Sequence, residues 1–142
     1  MLLQGKKAII TGGTRGIGFS VAEVFLKNGA SVALFGSRQE TVDKALAQLK
    51  SENPAWQVIG MAPDLTDYAA LDAAFSEVEN RFGRIDILVN NAGISAREPL
   101  YEYTPEAFQR IMDLNVTAVF NGCRAAAIRM KAQGGGSIIN TS

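Results

Sequence analysis

The 142-residue chain contains no histidine, a single cysteine, and no long run of charged or apolar residues. Without histidine, a histidine-based catalytic triad or a zinc site with a histidine ligand is excluded within these residues. Cys123 cannot form an internal disulfide and has no companion metal ligands, so we expect no metal site. The 14 basic and 14 acidic residues cancel, and no basic stripe of the kind that binds nucleic acid is present.

Two further absences concern the location of the protein. No apolar stretch approaches the ~20 residues of a membrane span, and the first residues lack the pattern of a signal peptide. We therefore expect a cytoplasmic protein that binds neither membranes nor nucleic acid. With 47% hydrophobic and 20% charged residues, the composition is that of one globular domain over residues 1–142.

Short β-branched runs alternate along the chain with longer amphipathic segments. The pattern predicts strands near residues 7–11, 31–36, 57–62, 85–90 and 137–141, and helices near 16–28, 38–52, 67–82 and 104–133. This alternation predicts an α/β fold, in which a doubly wound parallel sheet of the Rossmann type is covered by helices on both faces.

The sequence also predicts how the second helix begins and which face of the last helix is buried. Ser37 and Glu40 have the spacing of a capping box that opens the second helix. The last predicted helix is long, and the spacing of its apolar residues predicts one buried stripe along its length. The residues of this stripe are Phe108, Ile111, Met112, Val116, Val119, Cys123, Ala126 and Met130.

A glycine-rich turn joins the first strand to the first helix, with the sequence Thr-Gly-Gly-Thr-Arg-Gly-Ile-Gly over residues 11–18. Gly12 would permit a sharp exit from the strand, Gly16 a close approach of phosphate, and Gly18 close packing of the helix on the sheet. The free N–H groups and the helix dipole suit the pyrophosphate of a dinucleotide. The alternative is a glycine-rich turn without a ligand. The residues predicted to bind the cofactor here are Gly12, Thr14, Arg15, Gly16, Ile17 and Gly18.

The end of the second strand bears on the type of nicotinamide cofactor. NAD-binding proteins usually carry an acidic residue there, which binds the ribose 2′-hydroxyl group. This chain has Ser37 and Arg38 instead, and Arg15 lies in the glycine-rich turn. A 2′-phosphate would complement these groups, which predicts NADP, with NAD as the alternative cofactor. The competing interpretation is that both arginines are simply solvated.

Four motifs in order carry a resemblance that covers residues 1–142. They are the glycine-rich turn, Asp64-Leu65-Thr66, Asn90-Asn91-Ala92-Gly93 and Asp113-Leu114-Asn115-Val116. The chain resembles the classical short-chain dehydrogenase/reductase family, in particular 3-oxoacyl reductases and hydroxysteroid or sugar dehydrogenases. The resemblance implies an oxidoreductase that transfers a hydride between the cofactor and a ketone or secondary alcohol. It also implies a homo-oligomer, a dimer or tetramer, formed through the long helix.

The resemblance assigns roles to individual residues. Asp64 and Leu65 would bind the adenine, and Asn91, Ala92 and Gly93 would pack against a ribose. Asn115 would hold a water molecule that links a catalytic lysine to solvent. From the residues alone, Asp64 could instead cap the helix near Asp67, and Asn115 could be a buried amide bonded to backbone. Asn90 is expected to bond to the loop after the first strand.

The family's catalytic residues are a serine followed by a Tyr-x-x-x-Lys pair. Tyr101 and Tyr103 have no lysine four residues later, so neither is the expected catalytic tyrosine. Ser142 is either the catalytic serine or the residue before it. We therefore expect the cofactor-binding, N-terminal half of a longer single-domain enzyme, with the sheet truncated after its fifth strand and no activity alone. The alternative is a non-catalytic nucleotide-binding or redox-sensing module.

Overall fold

The computed structural model describes all 142 residues, which form five strands and five α-helices. The strands are β1 (Lys7–Thr11), β2 (Ser31–Phe35), β3 (Val58–Met61), β4 (Ile87–Asn90) and β5 (Ser137–Asn140). The helices are α1 (Gly16–Lys27), α2 (Gln39–Glu52), α3 (Tyr68–Phe82), α4 (Pro105–Met112) and α5 (Ala118–Gln133). A π-helical turn, Asp113–Thr117, joins α4 to α5, and a short 3₁₀ turn spans Leu100–Glu102. No helix has both the length and the apolar character needed to cross a membrane.

All five strands are parallel and lie in the order β3-β2-β1-β4-β5. The chain therefore builds the sheet outward from β1 in one direction and, after β3, outward from β4 in the other. The carboxyl ends of β1 and β4 meet where this order reverses, which is the point where open α/β sheets bind ligands. The predicted Rossmann-type doubly wound sheet is confirmed.

The core consists of two apolar layers, one on each face of the sheet, because successive strand residues point to opposite faces. On β1, Ile10 packs into the layer beneath α1 and α2, whereas Ile9 packs into the layer beneath α3 and α5. In the second layer, Phe35 and Phe75 meet edge to face with ring centroids 5.8 Å apart. Both layers support the strand ends that carry the glycine-rich turn.

The order of the elements agrees with the sequence prediction, but the expected capping box does not form. The helix α2 begins after Arg38, and neither Arg38 nor Ser37 caps it with a side-chain hydrogen bond. Instead, the Thr41 hydroxyl donates to the Arg38 carbonyl oxygen, 2.9 Å away. Ser37 lies one residue too early for the capping geometry, and it lines the cleft described below.

The long final helix also departs from the prediction, because its apolar residues do not form one buried stripe. Phe108 and Val116 are 54% and 51% exposed, whereas Ala126 and Met130 are buried. The π-helical turn adds a residue to one turn and so rotates the helical faces on either side of it relative to each other. Residues spaced at a constant period of 3.6 therefore do not all face the core on both sides of this turn.

Candidate cofactor-binding site

A cleft of about 1200 Å³ lies at the carboxyl ends of the strands. The segments that follow β1, β2, β3 and β4 form one wall, and α4 with the π-helical turn contributes the other. Most of the residues predicted to bind the cofactor line this single cleft. They are Gly12, Thr14, Arg15, Gly16, Ile17, Ser37, Asp64, Leu65, Asn91, Ala92 and Gly93.

The glycine-rich turn has the conformation that its sequence requires. Gly12 and Gly16 have φ angles of 62° and 57°, a left-handed region that favours glycine. A Cβ atom added at Gly16 would meet no heavy atom within 4 Å, so the backbone is open on the cleft side. A Cβ atom at Gly18 would collide with the carbonyl oxygen of Gly12 and lie 2.6 Å from Nδ2 of Asn91. The turn thus forms an open backbone cradle over a closely packed base, which fits a bound diphosphate.

Thr11 and Asn91 connect the segment that follows β4 to the end of β1 and the glycine-rich turn. The Thr11 hydroxyl accepts hydrogen bonds from the backbone N–H groups of Asn91 and Ala92, both at 3.0 Å. Nδ2 of Asn91 donates to the Gly12 carbonyl oxygen at 3.2 Å. The prediction for Asn90 was wrong, because its Nδ2 donates to Oδ1 of Asn140 at 2.9 Å, on the side away from β1. Asn91, the first residue after β4, makes the bond to the loop after β1 instead.

Of the two arginines predicted to bind the cofactor, only Arg15 lines the cleft. Arg15 precedes α1, is exposed and lines the cleft. Arg38 is also exposed, but it is not among the residues that line the cleft, whereas its neighbour Ser37 is. Thr14 packs against Gly36, where a Cβ atom would lie 2.7 Å from the Thr14 methyl group. Gly36 therefore lets the glycine-rich turn lie directly against the end of β2.

Asp64 lies on the cleft and is held by a local turn, while a neighbouring aspartate performs the capping function considered for it. Oδ1 of Asp64 accepts from the Thr66 hydroxyl at 2.6 Å and from the Thr66 N–H at 2.9 Å. Asp67 caps α3 by accepting from the N–H groups of Ala69 and Ala70. The bond from the Thr66 hydroxyl, followed by the bond from its backbone, lowers the pKa of Asp64 below its usual value. The Asp64 carboxylate is thus kept ionised and pre-oriented at the cleft.

We expect Thr66→Val to raise the pKa of Asp64 toward its ordinary value, because the hydroxyl bond is the largest cause of the lowering. A depressed carboxyl pKa stabilises the folded state above the unfolded-state pKa, and this stabilisation is lost as pH falls through the folded-state pKa. The variant should lose at most a few tenths of a kcal/mol of this stabilisation, about what an exposed group contributes. Titration of Asp64 by NMR in both proteins measures the change, and equal pKa values would contradict it.

Asn115 connects the π-helical turn to the segment that follows β4. Its Oδ1 accepts from the Ile94 N–H at 2.9 Å, and its Nδ2 donates to the Ile94 carbonyl oxygen at 2.8 Å. The expected burial was wrong, since Asn115 is exposed, but the alternative of an amide bonded to backbone describes its contacts. Both polar atoms of the side chain are satisfied by one residue, and this fixes Ile94 at the edge of the cleft.

Comparison with known proteins identifies the family to which this arrangement belongs. The sequence profile of the short chain dehydrogenases matches residues 6–142, nearly the whole chain. The chain belongs to the short chain dehydrogenase family. Membership accounts for the glycine-rich turn, the segment Asn90–Gly93 and the parallel sheet occurring together in one chain.

Alignments with individual relatives cover nearly all of this chain. It is 58% identical to a 3alpha-hydroxysteroid dehydrogenase of Mediterraneibacter gnavus, covering 100% of this chain and 57% of that protein. It is 37% identical to an NADP-dependent (R)-specific alcohol dehydrogenase of Lentilactobacillus kefiri, covering 99% and 55%. A short-chain type dehydrogenase/reductase from Mycobacterium marinum superposes with a TM-score of 0.93 at 35% identity, covering 99% and 56%. The chain spans about half the length of these short chain dehydrogenases.

Four predicted residues, Gly18, Arg38, Asn115 and Ser142, lie outside the cleft lining, and one wall of the cleft was not predicted. Ser142 follows β5, is exposed and does not line the cleft, and Gly18 supports the cleft from below. The unpredicted wall comes from one face of α4 and the π-helical turn. Its residues are Pro105, Glu106, Gln109, Arg110, Asp113 and Leu114. Of this wall, the sequence motifs included only Asp113 and Leu114.

Proposed function

We propose that residues 1–142 form the cofactor-binding half of a longer enzyme that transfers a hydride between NADP(H) and a ketone or secondary alcohol. The observation that carries this proposal is the backbone cradle at Gly16, which lies at the switch point of the sheet beside the segment after β4. When bound, the nicotinamide ring supplies or accepts the hydride. The catalytic tyrosine and lysine would come from the other half of the enzyme, so we expect residues 1–142 alone to bind cofactor without turnover.

The chain's own residues would bind and orient the cofactor. The free N–H groups at the start of α1 and the positive end of its dipole complement a diphosphate. Asp64 would accept a hydrogen bond from the adenine amino group, and Leu65 would offer its backbone N–H. Ile94, fixed by Asn115, would border the nicotinamide. Asn115 would also hold a water molecule for proton relay, the role that the family resemblance implies for it.

The preference for NADP(H) is supported by charge at the end of β2. No carboxylate lies at the positions after Phe35, where Gly36 and Ser37 line the cleft. Arg15, in the adjacent glycine-rich turn, also lines the cleft, and Arg38 is exposed next to Ser37. A 2′-phosphate would interact with two guanidinium groups and one hydroxyl, whereas the 2′-hydroxyl of NAD would find no acidic partner. The NADP dependence of the Lentilactobacillus kefiri relative is consistent with this proposal.

We expect the full-length protein to bind NADPH more tightly than NADH. The double variant Arg15→Gln/Arg38→Gln should weaken NADPH binding about 150-fold or more, because two charge-assisted bonds of roughly 1.5 kcal/mol each sum to about 3 kcal/mol. NADH binding should change about threefold or less. Kd values from cofactor fluorescence measure both effects. Lys44→Gln, which removes an exposed charge from α2 outside the cleft, is the control. Tighter binding of NADH by the unmodified protein would contradict the proposal.

The substrate that we propose is a hydroxysteroid or a ring-bearing secondary alcohol of similar size. The support is the 58% identity to the 3alpha-hydroxysteroid dehydrogenase, which exceeds the 37% identity to the alcohol dehydrogenase. A panel of hydroxysteroids, sugar alcohols and short ketones, each with NADP(H), tests this assignment on the full-length protein. The enzyme is proposed to be a homo-oligomer, because the long helix exposes Val116, Phe120 and Ile128. Phe120 and Ile128 belong to α5, and Val116 lies in the π-helical turn just before it.

A further inference from the structure

We propose that Thr141 is a positioning residue that couples the glycine-rich turn to the end of β5. The inference rests on the proposed function, because the turn is the proposed site of the diphosphate and Ser142 lies next to Thr141. The coupling runs through the carboxamide group of Asn91, which contacts both segments. Thr141 would thereby hold the backbone that leads into the catalytic serine in a position that depends on the bound cofactor.

The hydrogen bonds that carry the proposal run across three adjacent strands. The Thr141 hydroxyl lies 3.3 Å from the Asn90 carbonyl oxygen and 3.3 Å from Oδ1 of Asn91, so its one proton is shared between two acceptors. The Thr141 N–H also donates to the Asn90 carbonyl oxygen, at 3.1 Å. On its other side, Asn91 donates through Nδ2 to the Gly12 carbonyl oxygen at 3.2 Å. Both ends of the Asn91 carboxamide are therefore occupied, one by each segment.

The packing around Asn91 leaves its side chain little freedom to adjust. An added Cβ atom at Gly18 would lie 2.6 Å from Nδ2 of Asn91, and one at Gly12 would lie 3.2 Å from it. The Asn91 side chain is therefore enclosed by the base of the glycine-rich turn. A ligand that immobilises the turn should also immobilise this carboxamide. The hydrogen bond from the Thr141 hydroxyl would then restrict the motion of Thr141 as well. Because such coupling is reciprocal, loss of the hydroxyl should also weaken cofactor binding.

The test compares Thr141→Val with Thr141→Ser in the full-length protein. Valine keeps the shape and the backbone N–H bond but removes the hydroxyl, whereas serine retains it. We expect Thr141→Val to weaken NADPH binding about threefold, the effect of one ordinary hydrogen bond, and Thr141→Ser to bind as the unmodified protein does. Ser51→Ala is the matched control, because the Ser51 hydroxyl also donates to a carbonyl oxygen, that of Gln48, but on α2 and outside the cleft.

Hydrogen exchange provides a measurement that a purely structural role would not change. NADPH should slow amide exchange in the peptide that contains residues 137–142 of the unmodified protein and of Thr141→Ser, but much less in Thr141→Val at saturating NADPH. Equal protection in all three proteins, or no protection in any that binds NADPH, would overturn the inference and leave the proposed function standing. If the unmodified protein binds no NADPH, the proposed function itself fails.

Discussion

Gly18→Ala is expected to destabilise the protein and abolish cofactor binding. The new methyl group would collide with the Gly12 carbonyl oxygen and press against the Asn91 side chain. Because the obstacle is backbone, relief requires α1 to move away from the base of the turn. Overpacking costs about 3 kcal/mol at the upper end of its usual range, so we expect a net loss of about 2 kcal/mol after subtracting the roughly 1 kcal/mol that alanine gains over glycine in a helix. Chemical denaturation and NADPH binding measure the two losses.

Substitutions at two other glycines serve as controls, because they introduce backbone strain without a steric collision. Gly16→Ala and Gly83→Ala each place alanine at a positive φ angle, 57° and 88°, with no heavy atom within 4 Å of the new Cβ atom. Each should cost about 1 kcal/mol, the ordinary penalty for a left-handed conformation. Gly16→Ala should also weaken NADPH binding, since its methyl group lies on the open side of the cradle. Gly83→Ala, at the end of α3, should leave NADPH binding unchanged. A Gly18→Ala protein that is as stable as Gly83→Ala would contradict the packing argument.

Arg129→Met is expected to produce the second large loss, in the stability of the long helix. The Arg129 guanidinium lies between α5 and α3, with Nη1 2.7 Å from Oδ1 of Asp72 and Nε 2.7 Å from Oε1 of Glu79. The Arg129 side chain is 11% exposed, and its Cζ lies 5.5 Å from the centroid of the Phe75 ring. Burial by itself would lower the pKa of Arg129, but the hydrogen bonds and charges of both carboxylates outweigh it, so the pKa is raised.

Methionine would fill most of the volume while leaving two carboxylates without their cation. We expect a loss of about 2 kcal/mol in the free energy of unfolding, less than for a fully buried pair because both carboxylates keep contact with water. Arg81→Met on α3 is the matched control. Its pair with Glu77 spans 3.8 Å between half-exposed side chains, and such pairs contribute about 0.5 kcal/mol or less. Equal losses from Arg129→Met and Arg81→Met would contradict the assignment of a helix-to-helix clamp.

The Arg129 cluster shows what local sequence does not reveal. Glu79 and Arg129 are 50 residues apart, and each looks like an ordinary polar position on an amphipathic helix. Their pairing depends on how α3 and α5 pack on the same face of the sheet, and no periodicity in either helix encodes that. The exposed position of Asn115 was missed for a related reason. A constant helical period places it on the buried stripe, but the π-helical turn rotates it to reach Ile94.

The sequence by itself determined the parallel α/β fold and the cradle at the carboxyl end of β1. Alternating short and long apolar segments and glycines at fixed positions in a strand-to-helix turn act within a few residues, so they can be recognised locally. Only the tertiary structure decided which residues form the α4 wall, where Asn90 and Asn91 direct their side chains, and how Thr141 contacts Asn91. Those features depend on distances between segments far apart in the chain, which are set by the packing of helices on both faces of the sheet.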